Sequence, residues 1–183
     1  MDFTHIKHPS PTDPSQRDNA LQDPGFGTLY SDHMVTIDFH EDHTGPDGSW
    51  HNAVLGPRGP ISLDPAAAVL HYGQEIFEGM KCYRHENGEL ALFRPMENAR
   101  RLNDSARRMA MPTIPEDLFL ESIKRLVEAD KDWMPTIAGG SLYLRPFMFA
   151  TEAFLGVRPA KEYKFMVIAS PAGNYFQSGA PAV

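Results

Sequence analysis

Cysteine is almost missing from this chain: Cys82 stands alone among 183 residues. One thiol excludes an internal disulfide and a cysteine-built zinc site, and it fits a reducing compartment such as the cytoplasm. No apolar run approaches the ~20 residues of a bilayer span, so no membrane association is expected. The opening MDFTHIKHPSPTDPSQRDNALQDPG lacks the apolar centre of a secretion signal. Positive charge is also short. The formal net charge is −7 and no block of Lys and Arg stands out, which argues against a nucleic-acid surface. The eight histidines never fall in HxxxH or HxH spacing, so no metal site is expected. GxGxxG, Walker and GxSxG patterns are absent as well, which removes the usual cues for nucleotide and α/β-hydrolase chemistry.

What remains is an ordinary globular composition, 42% hydrophobic and 22% charged. Residues 1–24 are rich in Pro, Asp, Ser and Gln, carry no period, and read as a flexible arm, mobile or hugging the surface. From Tyr30 the pattern changes. Val35, Ile37 and Phe39 alternate with Met34, Thr36, Asp38 and His40, which predicts a strand. EDHTGPDGSW marks a turn, and HNAVLGPRGPISL resumes a strand until its Gly and Pro break it. PAAAVL, residues 65–70, predicts a short helix. Two strands follow, over 75–84 and 89–94, joined at HENG by its Asn-Gly turn signal. Two helices come next. Ala99, Leu102, Ala106, Met109 and Ala110 share one face of the first; Phe119, Ile123, Leu126 and Val127 share one face of the second. Thr113 and Glu116 have capping-box spacing. GGSLYLRPFMFATEAF and KEYKFMVIASPAG return to strand. Strands, then helices, then strands predict an α+β fold, an antiparallel-rich sheet with two main helices.

Three places carry candidate chemistry. Tyr143 and Arg145 lie two apart on a strand and share a face, where a phenol and a guanidinium fork suit a carboxylate; the alternative is an exposed sheet edge. Arg100, Arg101, Arg107 and Arg108 lie off the apolar stripe of their helix. One of them can hold a phosphate, or all four simply face water, and the helical wheel does not choose among them. In LHYGQEIFEGMKCYRHENGELALFRP, Phe77 and Gly79 share one strand face, with Ile76, Glu78 and Met80 on the other. A bare Gly79 lets another group approach closely, and Phe77 then walls a ligand; a bulge with Phe77 in the core is the alternative.

Taken together and in order, FGTLYSDHM, LHYGQEIFEGMKCY, LFRPMENARRL, DKDWMP, GGSLYLRPF, LGV and SPAGNYF closely resemble the N-terminal half of the branched-chain amino acid aminotransferases, pyridoxal-phosphate enzymes of the class IV aminotransferase fold. The resemblance covers residues 25–176 and implies the small N-terminal domain of that fold, with 177–183 opening an interdomain linker. It places Arg101 where the family binds the cofactor phosphate. Phe26, Phe77, Tyr143 and Tyr175 fall on positions that wall the pocket for aliphatic side chains, and Arg145 falls near the substrate carboxylate. Tyr72 and Val157 match residues that reach into the neighbouring subunit's pocket, which implies a homodimer. The implied reaction moves an amino group from leucine, isoleucine or valine to 2-oxoglutarate, so branched-chain amino acids and 2-oxo acids are the expected partners.

One departure matters. The family's catalytic lysine, which joins the cofactor covalently and shuttles the proton, lies beyond the SPAGNYF segment. None of Lys7, Lys81, Lys124, Lys131, Lys161 and Lys164 sits in that motif. The chain is therefore expected to lack the large cofactor-lysine domain, to contain no catalytic residue of its own, and to be inactive alone. Two other readings stay open: a non-catalytic dimerisation module, and a D-amino acid aminotransferase or aminodeoxychorismate lyase of the same class.

Overall fold

Alternation decides the sheet. Val35 and Ile37 are fully buried while Met34, Thr36 and Asp38 between them are not, as a strand with one face on a core requires. In the computed structural model, which describes residues 1–45 and 49–173, the strands are β1 (Thr4–His5), β2 (His33–His40), β3 (Trp50–Pro57), β4 (Glu75–Phe77), β5 (Met80–Arg84), β6 (Leu90–Leu92), β7 (Ser141–Ala150) and β8 (Glu162–Ala172). The helices are α1 (Pro14–Ala20), α2 (Ala68–Tyr72), α3 (Pro95–Arg108) and α4 (Glu116–Ala129). One eight-stranded sheet runs β1-β3-β2-β8-β7-β5-β6, with β4 also paired to β7. Every pair is antiparallel except β1 with β3. This is the α+β architecture the sequence predicts.

The two long helices cover one face of the sheet. Ala99, Leu102 and Ala106 of α3 and Phe119, Ile123 and Leu126 of α4 are fully buried. They pack with Val35, Ile37, Leu142, Leu144, Phe165 and Val167 from the strands; Phe119 meets Phe165 ring to ring at 6.0 Å. Buried Asn103 ties the helices together. Its side chain donates to the Ile114 carbonyl and accepts from the Ile114 N–H, both at 2.9 Å.

Two sequence expectations change. The capping box does not form. Helix α4 starts at Glu116 behind Pro115 with no side-chain cap, and the Thr113 carbonyl instead accepts the Trp50 indole N–H at 3.1 Å. The strand expected over 75–84 is two strands. Phe77 pairs with Phe147 and Met80 with Leu144, so the register continues across the gap and sets Pro146 opposite Glu78. Pro146 accepts the Glu78 N–H at 2.8 Å but has no N–H to return, and the ladder breaks there.

The N-terminal arm lies against the surface and is held at several points. β1 pairs with β3, the Arg125 guanidinium lies 4.7 Å over the Phe3 ring, and Leu21 is buried. Thr12 donates its hydroxyl to Asp32 at 2.6 Å, and Trp133 donates its indole N–H to the same carboxylate at 3.1 Å. Burial works to raise the Asp32 carboxyl pKa, but the bonds from Thr12 and Trp133 outweigh it and hold it below the usual value. No period marked this segment because β1 has two residues and α1 buries none.

Candidate active site

The uncovered face of the sheet carries the first cluster. Tyr143 and Arg145 point from β7 away from the helices, as their two-residue spacing predicts. β7 lies between β8 and the β4–β5 pair, so the pair is interior and not at a sheet edge. Arg145 donates from Nη2 and Nε to the Tyr143 hydroxyl at 2.8 and 3.3 Å. Its guanidinium sits 4.3 Å over the Phe77 ring, a cation–π contact that fixes its plane. Phe26 meets Tyr143 edge-on at 5.1 Å. Phe77 is 58% exposed, so the alternative that buried it in the core is overturned.

Gly79 explains the packing. A Cβ at this position would lie 2.5 Å from the Tyr143 hydroxyl oxygen and 3.2 Å from Cζ. The absent side chain is the space Tyr143 occupies. Together with Gly27, Tyr30, Ile168 and Ser170, the residues Phe26, Tyr143 and Arg145 line a cavity of about 200 Å³. Ile168 and Ser170 went unread in the sequence; their signal was the period of β8, whose register sets them opposite Arg145 and Tyr143.

Arg101 stands elsewhere. It approaches from α3 on the helix side and donates from Nε and Nη2 to the two oxygens of Glu78, at 2.6 and 2.7 Å. Glu78 is only 3% exposed and also accepts from Asn98 Nδ2 at 3.0 Å. The bonds from Glu78, and then its charge, raise the Arg101 guanidinium pKa further above its already high value. Arg100 and Arg107 pair with Glu97 and Asp104 of their own helix, the solvated-face pattern. Arg101 is thus set apart from them by a buried carboxylate. It lines a cavity of about 460 Å³ with Phe93, Arg94, Asn98 and Arg100.

Arg101 and Tyr143 therefore line different cavities, because Glu78 and Gly79 face opposite sides of the sheet. Neither cavity includes a lysine. Glu78 was missed as a site residue, although a charge between Ile76 and Met80 on an apolar face was its signal.

Tyr72 and Val157 belong to a third place. The Tyr72 hydroxyl donates to the Leu155 carbonyl. The segment around them is tied to α2 by the Ala68 N–H on the Glu152 carbonyl at 2.9 Å. Leu70, Tyr72, Leu155 and Val157 are all exposed here, Val157 at 93%. Tyr175 lies outside the described residues. Among the described residues no three His, Cys, Asp or Glu side chains are grouped to hold a metal, and no helix is long and apolar enough to cross a membrane.

Comparison with known proteins adds the decisive likeness. A branched-chain-amino-acid aminotransferase of Mycolicibacterium smegmatis is 52% identical over 180 residues, 98% of this chain and 48% of that protein. Over almost its whole length this chain is similar to branched-chain aminotransferases. It spans about half the length of the curated relatives it matches. No family model matches it. Among solved structures, the T.th. branched-chain amino acid aminotransferase with pyridoxamine 5′-phosphate is 26% identical with a TM-score of 0.53, over 80% of this chain and 43% of that chain. The same enzyme complexed with 4-methylvaleric acid gives a TM-score of 0.52 at 26% identity, over 74% of this chain and 40% of that one. The class IV fold expected from the resemblance is the fold of these neighbours.

The residues here suit the cofactor such relatives carry. Arg101 keeps N–H donors on its outer edge, beside Arg94 and Arg100, in a cavity that Glu97 and Asp104 also line; three guanidinium groups against two carboxylates leave a net positive lining that a phosphate can use.

Proposed function

We propose that this chain supplies one side of a branched-chain aminotransferase site, passing an amino group from leucine, isoleucine or valine to 2-oxoglutarate in the cytoplasm. The observation that carries the reading is the Tyr143–Arg145 pair, bonded at 2.8 Å over the bare Cα of Gly79 and flanked by Phe26 and Phe77. Arg145 keeps N–H groups for a carboxylate, and its contacts with Phe77 and Tyr143 hold the guanidinium still, so little ordering remains for binding to supply. Phe26 and Ile168 present apolar groups to an aliphatic side chain in the cavity they line with Tyr143 and Arg145, and Phe77 backs the guanidinium beside it. Such a wall separates substrates by only about 1–3 kcal/mol per methylene, which favours several branched substrates over one. The relative solved with 4-methylvaleric acid, a leucine-shaped carboxylate, supports this pairing of wall and fork.

Arg101 would hold the phosphate of pyridoxal 5′-phosphate. When bound, that group supplies an electron sink for the substrate's α-carbon. Glu78 holds Arg101 at the sheet, and Asn98 holds Glu78. The exposed Leu70, Tyr72, Leu155 and Val157 support a homodimer contact, since a cluster of large apolar side chains in water marks an interaction surface. No lysine lines either cavity, so this chain binds and positions but does not turn over alone.

The test has two arms. Titrating the labelled chain with 4-methylvalerate should move the resonances of Tyr143, Arg145 and Phe26 in a saturable way. Incubating it with pyridoxal 5′-phosphate, leucine and 2-oxoglutarate should give no glutamate. Silence in the first arm refutes the substrate-side assignment; turnover in the second refutes the division of labour.

A further inference from the structure

Glu78 has no part in the substrate cavity, yet it is a buried carboxylate on the apolar face of the sheet. Its flanking residues Ile76 and Met80 are buried apolar side chains. A charge in that position costs desolvation that a hydrophobic residue would avoid, so its retention asks for a role other than stability. The bonds it makes are specific. Glu78 Oε1 takes Arg101 Nε–H at 2.6 Å and Oε2 takes Nη2–H at 2.7 Å, a two-pronged fork. Asn98 Nδ2 donates to Oε2 at 3.0 Å and reaches toward the Gly79 carbonyl at 3.4 Å, which fixes the carboxylate from the side. The pair is asymmetric: Glu78 is 3% exposed and the Arg101 side chain 68%.

A guanidinium has five N–H groups in a rigid plane. Glu78 engages two of them, on the inner edge. The remaining donors, on Nη1 and Nη2, lie on the outer edge, toward the cavity that Phe93, Arg94 and Arg100 line together with Glu97 and Asp104. We propose that Glu78 is a positioning residue for the cofactor site: it locks the plane of Arg101 so that the free edge is presented, already ordered, to a phosphate. This rests on the reading of Arg101 as the phosphate ligand and adds how that ligand is made ready. A long arginine free to sample its rotamers must be ordered by the ligand. Arg101 is ordered beforehand by a group the ligand never touches.

The experiment uses the full 183-residue chain, labelled with nitrogen-15, and reads the arginine Nε–H signals. Arg101→Lys identifies the Arg101 signal by its loss. The wild-type Arg101 Nε–H should exchange with water more slowly than that of Arg100; equal exchange overturns the proposal without any variant. Inorganic phosphate should then shift the Arg101 signal saturably. Glu78→Gln, which keeps size and removes charge, should speed that exchange and weaken phosphate binding at least about fivefold, the scale of one lost charge-assisted bond. In an Arg101→Ala background, where binding is already weakened, Glu78→Gln should change it no further. Equal weakening in both backgrounds means a general structural effect and overturns the proposal. If phosphate binds wild type and Glu78→Gln equally, the positioning role fails and the phosphate reading stands. If phosphate moves no signal in wild type, the phosphate reading fails and the proposal fails with it.

Discussion

Replacing Gly79 by Ala separates the site from the fold. The new Cβ would sit 2.5 Å from the Tyr143 hydroxyl oxygen, 3.2 Å from Cζ and 3.3 Å from Cε2, where ordinary contact begins at 3.4 Å. The tip of Tyr143 must withdraw by about 1 Å to clear it. Arg145 Nη2 lies 2.8 Å from that hydroxyl, and a further ~1 Å takes the pair beyond hydrogen-bond range. Losing a half-exposed bond of this kind costs about 1 kcal/mol. Against it, Gly79 does not have a positive φ, and Ala in place of Gly in a sheet returns roughly 0.5–1 kcal/mol of backbone entropy. The two nearly cancel, so the midpoint of denaturant unfolding should stay within about 1 kcal/mol of wild type. Binding should not be spared. A fork displaced by ~1 Å should lose about ten- to a hundredfold in affinity for 4-methylvalerate. The assay is paired: urea unfolding for stability, and ligand titration with the Arg145 Nε–H signal as reporter. An unmoved Arg145 signal with full affinity would refute the argument that Gly79 exists to seat Tyr143. A loss above ~2 kcal/mol in folding would refute the argument that the clash is confined to a side-chain tip.

Two further outcomes test the frame. Asn103→Ala removes both partners of the Ile114 backbone in a buried setting, and should cost about 3 kcal/mol in urea unfolding; a loss under ~1 kcal/mol would mean water replaces the amide. Tyr163 is buried and its phenol pKa is pushed up to about 12 by desolvation. The neutral form is favoured in the folded state, so its contribution is complete below the unfolded value near pH 10 and is lost between about pH 10 and 12. That loss amounts to about 3 kcal/mol. Stability measured across that range, with phenolate absorbance as the titration record, should fall more steeply for wild type than for Tyr163→Phe; parallel slopes would refute it.

The period of the sequence carries the fold because a sheet with one covered face and two amphipathic helices writes its burial into alternation. Val35 and Ile37, Leu102 and Ala106, and Phe119 and Ile123 are all where that pattern sets them. The same logic put Tyr143 beside Arg145 and Phe77 beside Gly79. What the period does not carry is pairing at a distance. The break after Phe77 comes from Pro146, nearly 70 residues away and opposite Glu78 only once β4, β5 and β7 are in register. The Thr113–Glu116 spacing has a capping form, yet Asn103 and Trp50 claim the backbone around Ile114 and the helix begins without it. The anchors of the arm went unread for a related reason: single contacts such as Thr12 on Asp32 have no period.

The stretch from Ile76 to Met80 shows why one strand break organises two cavities. Alternation sends Ile76, Glu78 and Met80 to the helix side and Phe77 and Gly79 to the open side. On the helix side a carboxylate captures Arg101 from α3; on the open side a bare Cα admits Tyr143 from β7. Pro146 interrupts the ladder at the one position where these two demands meet. Replacing Pro146 by a residue with an N–H would restore the missing ladder bond. Pro146→Ala should gain up to about 1 kcal/mol in urea unfolding and keep the Arg101 Nε–H signal in place, because alternation and not the break aims Glu78 at α3; a shifted signal would refute that.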